Sequence, residues 1–446
     1  MKLSTRHLLD RAFTGSGVFA IALMAITLLV VLGPIFQRGI GAFFFDGTIE
    51  HRRFQLESFS RGDADRMAEE LKATREARAP AYRMLAEFAE EMDTLPTARR
   101  KELRADFAEV RKMVAELLGP IPGEPMPSLP RNCYGQTRWD RALVKQDRLL
   151  FHESWDFSNG VSHLVRTPRA QLFAGTKLAP IFPLIQDHLP EMLLPRWTFY
   201  AAFLTDHSVD AHFFGGIGPE VTGTLYLTIG AMLLAIPFGV VAAIYFQEYA
   251  RDGALLSFLR SCVSTLAGVP SIVFGLFGLA FFINTLHVSR GKSVIAGALT
   301  LALLILPTII RASEEAIRAV PRTFKEASMA LGAGRWRTII SVILPAAMPG
   351  ILTGVVISMG RAAGETAPII FTAAVSFGAA PKLAEIFTRD TPALPWNIYN
   401  ICTEHQAVDE IRHVQYGMVM TLVLLVLLLN LSAIILRARM NRRIKG

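Results

Sequence analysis

Three cysteines in 446 residues, Cys133, Cys262 and Cys402, fall at spacings that make no metal or redox motif. Nor does the chain carry a GxxxxGK[ST] loop for a nucleotide. Gly291–Lys292–Ser293 imitates the end of one, but Leu286 stands where the first glycine belongs. No nucleophile–base pair or metal constellation stands out, which argues against an enzyme. The basic residues form no stripe with interleaved aromatics, which excludes a nucleic-acid binder. Strong metal spacing is missing too. DHSVDAH at 206–212 gathers His207 and His212 with two aspartates just before an apolar run, where polar residues cover a membrane interface more readily than they ligate. His405 and His413 are read the same way.

What is present is apolar length. Hydrophobic residues make up 52% of the chain, and six runs approach or exceed the roughly 20 residues that cross a bilayer. They lie at about 17–36, 221–246, 262–284, 294–312, 346–375 and 416–436. The fold class expected is an all-α polytopic membrane protein with six transmembrane helices. The first run is longer than a signal-peptide core and no small-x-small cleavage site follows it, so it reads as an anchored helix.

Charge sets the topology. Residues 37–215 carry 24 basic and 25 acidic side chains, so the +8 net charge of the chain resides at the ends of the spans. Lys2, Arg6 and Arg11 precede the first span and RARMNRRIKG closes the chain, placing both termini in the cytoplasm. The 313–345 loop, with Arg318, Arg322, Lys325, Arg335 and Arg337, is then inside as well. Three parts follow: 1–36, the cytoplasmic N-terminus and first helix; 37–215, a largely helical outer domain; and 216–446, a five-helix core. Cys133 and Cys402 share the outer side in this topology, so a disulfide between them is open.

In the outer domain, Leu103, Phe107, Val110, Val114 and Leu117 recur at helical spacing up to Gly119–Pro120. Met67, Leu71, Leu85, Phe88 and Met92 form a second apolar face before a turn at Thr94–Leu95–Pro96. The expectation is an antiparallel hairpin whose two seams bury one another.

Residues 350–371 hold the sharpest feature. Arg361 and Glu365 are four apart in an apolar stretch, so on one helix they share a face. An ionised residue at membrane depth costs at least about 2.5–3.5 kcal/mol on insertion scales, and marks a site or a pathway by default. Gly350, Gly354, Ser358 and Ala362 run beside the pair as a ridge of small residues that admits a neighbouring helix. Two readings stand: the pair contacts a transported ion, or it neutralises itself. Thr366 and Pro368 follow, and Pro368 loosens the helix because it cannot donate a hydrogen bond. Arg311, at the end of the fourth run, is either a second pathway residue or an interfacial arginine.

The loop sequence EASMALGAGRWRTIISVILP resembles the EAA loop of ABC importer permeases, Glu-Ala-Ala, three residues, Gly, nine residues, Ile-x-Leu-Pro. Ser328 replaces the second alanine and Val342 the isoleucine. GGIGPEVTGTLYLT at 215–228, LPTIIRASEEAIRAVP at 306–321 and GRAAGETAPIIFT at 360–372 are similar to phosphate permeases of the PstA type. The resemblance implies that Glu326, Ala327, Ser328, Gly332, Leu344 and Pro345 form an ATPase-coupling loop. Arg361, Glu365, Thr366 and Arg311 would line the substrate path. It further implies a bacterial inner-membrane importer of inorganic phosphate, with a PstC-like second permease, a PstB-like ATPase dimer and a PstS-like periplasmic binding protein. This chain would bind no cofactor, since ATP and magnesium belong to the ATPase, and it would bind lipid but no nucleic acid. Other oxyanions, sulfate or molybdate, remain open as cargo, as does a membrane sensor built on 37–215.

Overall fold

The computed structural model describes residues 3–119, 122, 135–156, 163–404 and 410–445. Two compact units emerge: Met1–Ile40 with Ala202–Gly446, and Gly41–Ala201. Residues 202–215, assigned from hydropathy to the outer domain, group with the membrane unit. Ile217 and Gly218 donate backbone hydrogen bonds to the carbonyls of Phe203 and Asp206, at 2.7 and 2.9 Å.

Among its described residues, the membrane unit has five helices long and apolar enough to cross a bilayer: Ala12–Ile40, Gly218–Tyr249, Val294–Arg318, Arg335–Gly364 and Arg412–Met440. The expected run at 262–284 is instead a broken pair, Ala254–Ala267 and Ser271–Thr285, bent by 101°. Pro270 has no N–H to continue the ladder and pushes Val269 out of helical backbone, so the chain turns there. Val294–Arg318 is central, since two-thirds of its apolar stretch is buried against 39% for Gly218–Tyr249. Leu301, Leu304, Ile305 and Ile309 meet Leu227, Ala231 and Ile351 in one shared core.

The small-residue ridge works as expected. A Cβ on Gly354 would lie 2.3 Å from the Ala312 Cβ, and one on Gly350 2.6 Å from that of Ala316. Only glycine lets the 335–364 and 294–318 helices approach so closely. The N-terminal helix keeps Phe13, Phe19 and Leu29 exposed, as a lipid-facing span does, and pins its end to the last helix through Arg38 and Tyr416 at 2.6 Å. Lys292 and Ser293 have structural uses: Lys292 Nζ donates to the Ala374 carbonyl at 3.1 Å, and Ser293 Oγ caps the Val294–Arg318 helix by accepting from the Ala296 N–H.

The 41–201 unit contains the hairpin, Ala64–Thr94 and Thr97–Leu118, with Asp63 capping its first helix through Asp65 and Arg66 N–H groups. The two seams do not chiefly bury each other. Ala64–Thr94 packs mainly on Ile181–Leu193, and Thr97–Leu118 on Trp139–Leu150, so four helices share one core around Phe88, Val114, Leu117 and Ile185. Phe44–Gly47 pairs antiparallel with Arg196–Phe199, tying the start of this unit to its end. Beside that sheet lies a buried charge cluster. Glu50 receives Arg78 at 3.0 Å and Arg53 at 3.4 Å, while Glu70 receives Arg52 at 2.9 Å and Arg196 at 2.7 Å. Cys133 and His405 lie outside the described residues, and with Cys133 any disulfide to Cys402. Among the described residues no three His, Cys, Asp or Glu side chains converge as metal ligands would.

Candidate functional site

Arg361 and Glu365 were expected on one uninterrupted helix over 346–375. The structure ends that helix at Gly364 and begins it earlier, at Arg335. Continuing would set the Pro368 ring against the carbonyl four residues back, that of Gly364, and leave that carbonyl without a donor. The chain opens at Glu365 (φ −74°, ψ 126°) and Thr366, then resumes as the short helix Ala367–Thr372. Arg361 still reaches across the break, with Nε 3.1 Å from Glu365 Oε1. The arginine side chain is 41% exposed and the glutamate 18%, whereas Ser358 and Ala362 on the adjoining ridge are buried. The pair therefore occupies an open face of this chain. Only Nε is engaged, so the terminal nitrogens of the guanidinium keep their donors uncommitted. Thr366 is half-buried at the head of the short helix and does not cap it.

Arg311 does not join that pair. It neighbours Ala312, which faces Gly354, and seven residues of helix at 1.5 Å rise put Arg361 about 10 Å further along. Arg311 instead lines a 270 Å³ cavity with Arg260, Ser264, Glu314, Glu315 and Arg318. Arg260 Nη2 and Arg318 Nη2 both donate to Glu314 Oε1, at 2.6 and 3.4 Å.

The loop connecting these spans folds as a helix, Arg322–Ala330, with no buried residue. Glu326 and Ala327 lie on it. Ser328 Oγ sits 3.0 Å from Thr338 Oγ1, pinning the helix to the base of the next span. Gly332 has φ +85°, a left-handed turn that suits glycine, and its N–H closes on the Met329 carbonyl at 2.9 Å. Phe324, Leu331 and Trp336 stay 50%, 90% and 62% exposed, an apolar patch on an otherwise charged loop. Lys325 pairs with Glu248 at the end of the Gly218–Tyr249 helix, and both line a 410 Å³ hollow with Glu326. Leu344 and Pro345 do not end the loop. A π-helical turn over Ile339–Ile343 carries the helix through them into the span, absorbing the proline's missing donor. Lys325 entered the sequence reading only as a marker of sidedness, and the pairing of Arg260 with Glu314 and of Lys325 with Glu248 leaves no signal along the chain.

The family described as binding-protein-dependent transport system inner membrane component matches residues 235–446. The probable ABC transporter permease YqgI of Bacillus subtilis is 36% identical over 244 residues, covering 52% of this chain and 81% of that protein. The chain belongs to this permease family. The phosphate transport system permease PstA 1 of Mycobacterium tuberculosis (strain H37Rv) is 38% identical over 231 residues, 52% of this chain and 72% of its own. PstA of Yersinia pestis is 34% identical over 225 residues, 50% and 73%. A solved inward-facing MetNI methionine ABC transporter aligns at 18% identity and TM-score 0.41 over 50% of this chain and 95% of that one. The protein is thus a multi-pass permease component of an ABC importer, with phosphate permeases of the PstA type among its homologues. The family match starts beyond the 41–201 unit.

Proposed function

We propose that this permease forms half of the translocation path of an ATP-driven importer of inorganic phosphate. The observation that carries the reading is the Arg361–Glu365 pair, open to one side at a helix break, in a chain 38% identical to a PstA permease over 231 residues. A second, PstC-like permease covers the open face, because an ion pair at membrane depth must meet protein or water rather than lipid. The guanidinium fork of Arg361 matches the oxygens of a tetrahedral oxyanion. Glu365 accepts a hydrogen bond from the P–OH group that phosphate keeps near neutral pH and that sulfate lacks. For phosphate to enter, Glu365 yields part of its hold on Arg361, and the anion takes its place.

Power enters at the Arg322–Ala330 helix. Its exposed apolar neighbours Phe324, Leu331 and Trp336 suit a groove on a PstB-like ATPase, which supplies ATP and magnesium chemistry from the cytoplasm. A PstS-like binding protein delivers phosphate from the periplasmic side. The basic loop then faces the cytoplasm with both termini, in a bacterial inner membrane.

The test is radiolabelled phosphate and sulfate uptake by the assembled transporter. Arg361→Gln abolishes phosphate uptake without loss of assembly. Glu365→Gln lowers phosphate uptake and admits sulfate. Normal, sulfate-excluding phosphate uptake by Glu365→Gln removes the filter, and uptake by Arg361→Gln removes the path. If sulfate or molybdate outcompetes phosphate in the native protein, the cargo is that oxyanion.

A further inference from the structure

We propose that the 270 Å³ cavity around Arg311 is a second oxyanion site, built by Arg311 and Arg260 and distinct from the Arg361–Glu365 pair. It takes a phosphate group, whether free inorganic phosphate or the headgroup of an acidic phospholipid. The proposal rests on the oxyanion reading above only for the identity of the free ligand.

Three guanidinium groups, those of Arg260, Arg311 and Arg318, face two carboxylates, Glu314 and Glu315, leaving one positive charge in excess. Their pairing is uneven. Arg260 and Arg318 compete for a single oxygen, Glu314 Oε1, and Glu314 is held in place partly through its own carbonyl, which accepts from Gln247 Nε2 at 3.4 Å. Arg260 Nε is consequently buried with no hydrogen-bond partner. A buried donor left unmade costs about 1–3 kcal/mol, so the site gains by acquiring an acceptor. Among the described residues, Arg311 is exposed at the rim of this cavity and enters no ion pair. Two sets of uncommitted guanidinium donors therefore converge on one cavity from different helices, Ala254–Ala267 and Val294–Arg318.

The rest of the lining suits a partly dehydrated anion. Phe246, Val263 and Ile310 wall one side, and the Ser264 hydroxyl beside them donates to the Arg260 carbonyl at 2.8 Å. At about 30 Å³ per water, the space holds a tetrahedral oxyanion together with several waters. Glu314 repels a bare anion but accepts from a P–OH, as Glu365 would. Because Arg260 sits on the bent pair and Arg311 on the central span, occupancy clamps those two helices at the end bearing the Arg322–Ala330 loop.

The experiment uses the full chain carrying Arg361→Gln, which removes the other candidate site, in phosphatidylcholine nanodiscs. Inorganic phosphate is the probe, read by equilibrium dialysis. Phosphate binds in this background, and adding Arg260→Gln or Arg311→Gln weakens it by about tenfold to a hundredfold, the loss of one charge-assisted hydrogen bond. Arg260→Lys keeps the charge but not Nε. It binds at an intermediate level, and it also serves if the glutamine variant does not fold. In parallel, nanodiscs containing phosphatidylglycerol report the source. If the headgroup is the ligand, acidic lipid displaces phosphate and co-purifies with the Arg361→Gln chain but not with its Arg260 and Arg311 variants. Binding of phosphate and of acidic lipid that is indifferent to Arg260 and Arg311 overturns the proposal. So does binding seen only when Arg361 is intact, an outcome that leaves the transport reading standing.

Discussion

Alanine at Gly354 should force the two helices carrying Arg311 and Arg361 apart. The added Cβ would lie 2.3 Å from Ala312 Cβ. Carbon atoms rest at about 3.5–4.0 Å, so the shortfall exceeds about 1 Å and cannot be taken up by a rotamer, both atoms being fixed to backbone. Overpacking of this kind costs about 1–3 kcal/mol. Ala312→Gly removes the opposing carbon at the cost of glycine in a helix, about 0.5–1 kcal/mol. The double variant should therefore be close to Ala312→Gly alone, with a coupling energy of about 1–3 kcal/mol in favour of the pair. Unfolding of the full chain by sodium dodecyl sulfate in mixed micelles, followed by tryptophan fluorescence, measures all four corners of the cycle. Additive single effects, or a Gly354→Ala protein as stable as the parent, would refute the close crossing.

The 41–201 unit should weaken in acid through His51. Its burial, and then the charges of Arg138 and Arg52, push the imidazole pKa from 6.5 down to about 3. The unfolded chain thus binds the extra proton first. Stability is complete above pH 6.5 and falls by about 1.4 kcal/mol per pH unit from there towards pH 3. Hydrogen exchange of residues 49–59 as a function of pH reads this, and His51→Leu flattens the slope if the sign is right. Glu50→Gln should cost the same unit about 3–5 kcal/mol, because Arg78 is left buried without its counter-charge. A shift below about 1 kcal/mol in protease susceptibility of that unit would show the cluster to be dispensable.

Much of the architecture was readable along the chain because its causes are local. Hydropathy marked the spans, and the 4-3 spacing of Leu103, Phe107, Val110, Val114 and Leu117 marked the helix they occupy. The break at Gly364 was also legible in principle. Pro368 stands four residues beyond it, but the hydrophobic run from 346 to 375 concealed the consequence. The bend at Val269–Pro270 was concealed the same way. The short strands of the 41–201 unit carry too few residues for alternation to register. Their pairing, Phe44–Gly47 with Arg196–Phe199, depends on the fold that brings them together.

The candidate site divides along the same line. By itself the sequence determined that this is a polytopic membrane protein, and that Arg361 and Glu365 sit one turn apart, while its motifs resembled those of an importer permease. Those properties depend on composition, period and spacing. Only the tertiary structure decided that the pair is joined across a helix break on an open face, that Leu344 and Pro345 belong to the span, and that Arg311 shares a cavity with Arg260. Ion pairing and cavity formation depend on which side chains meet when the glycines of one helix let it press against the next, and spacing along the chain carries no record of that.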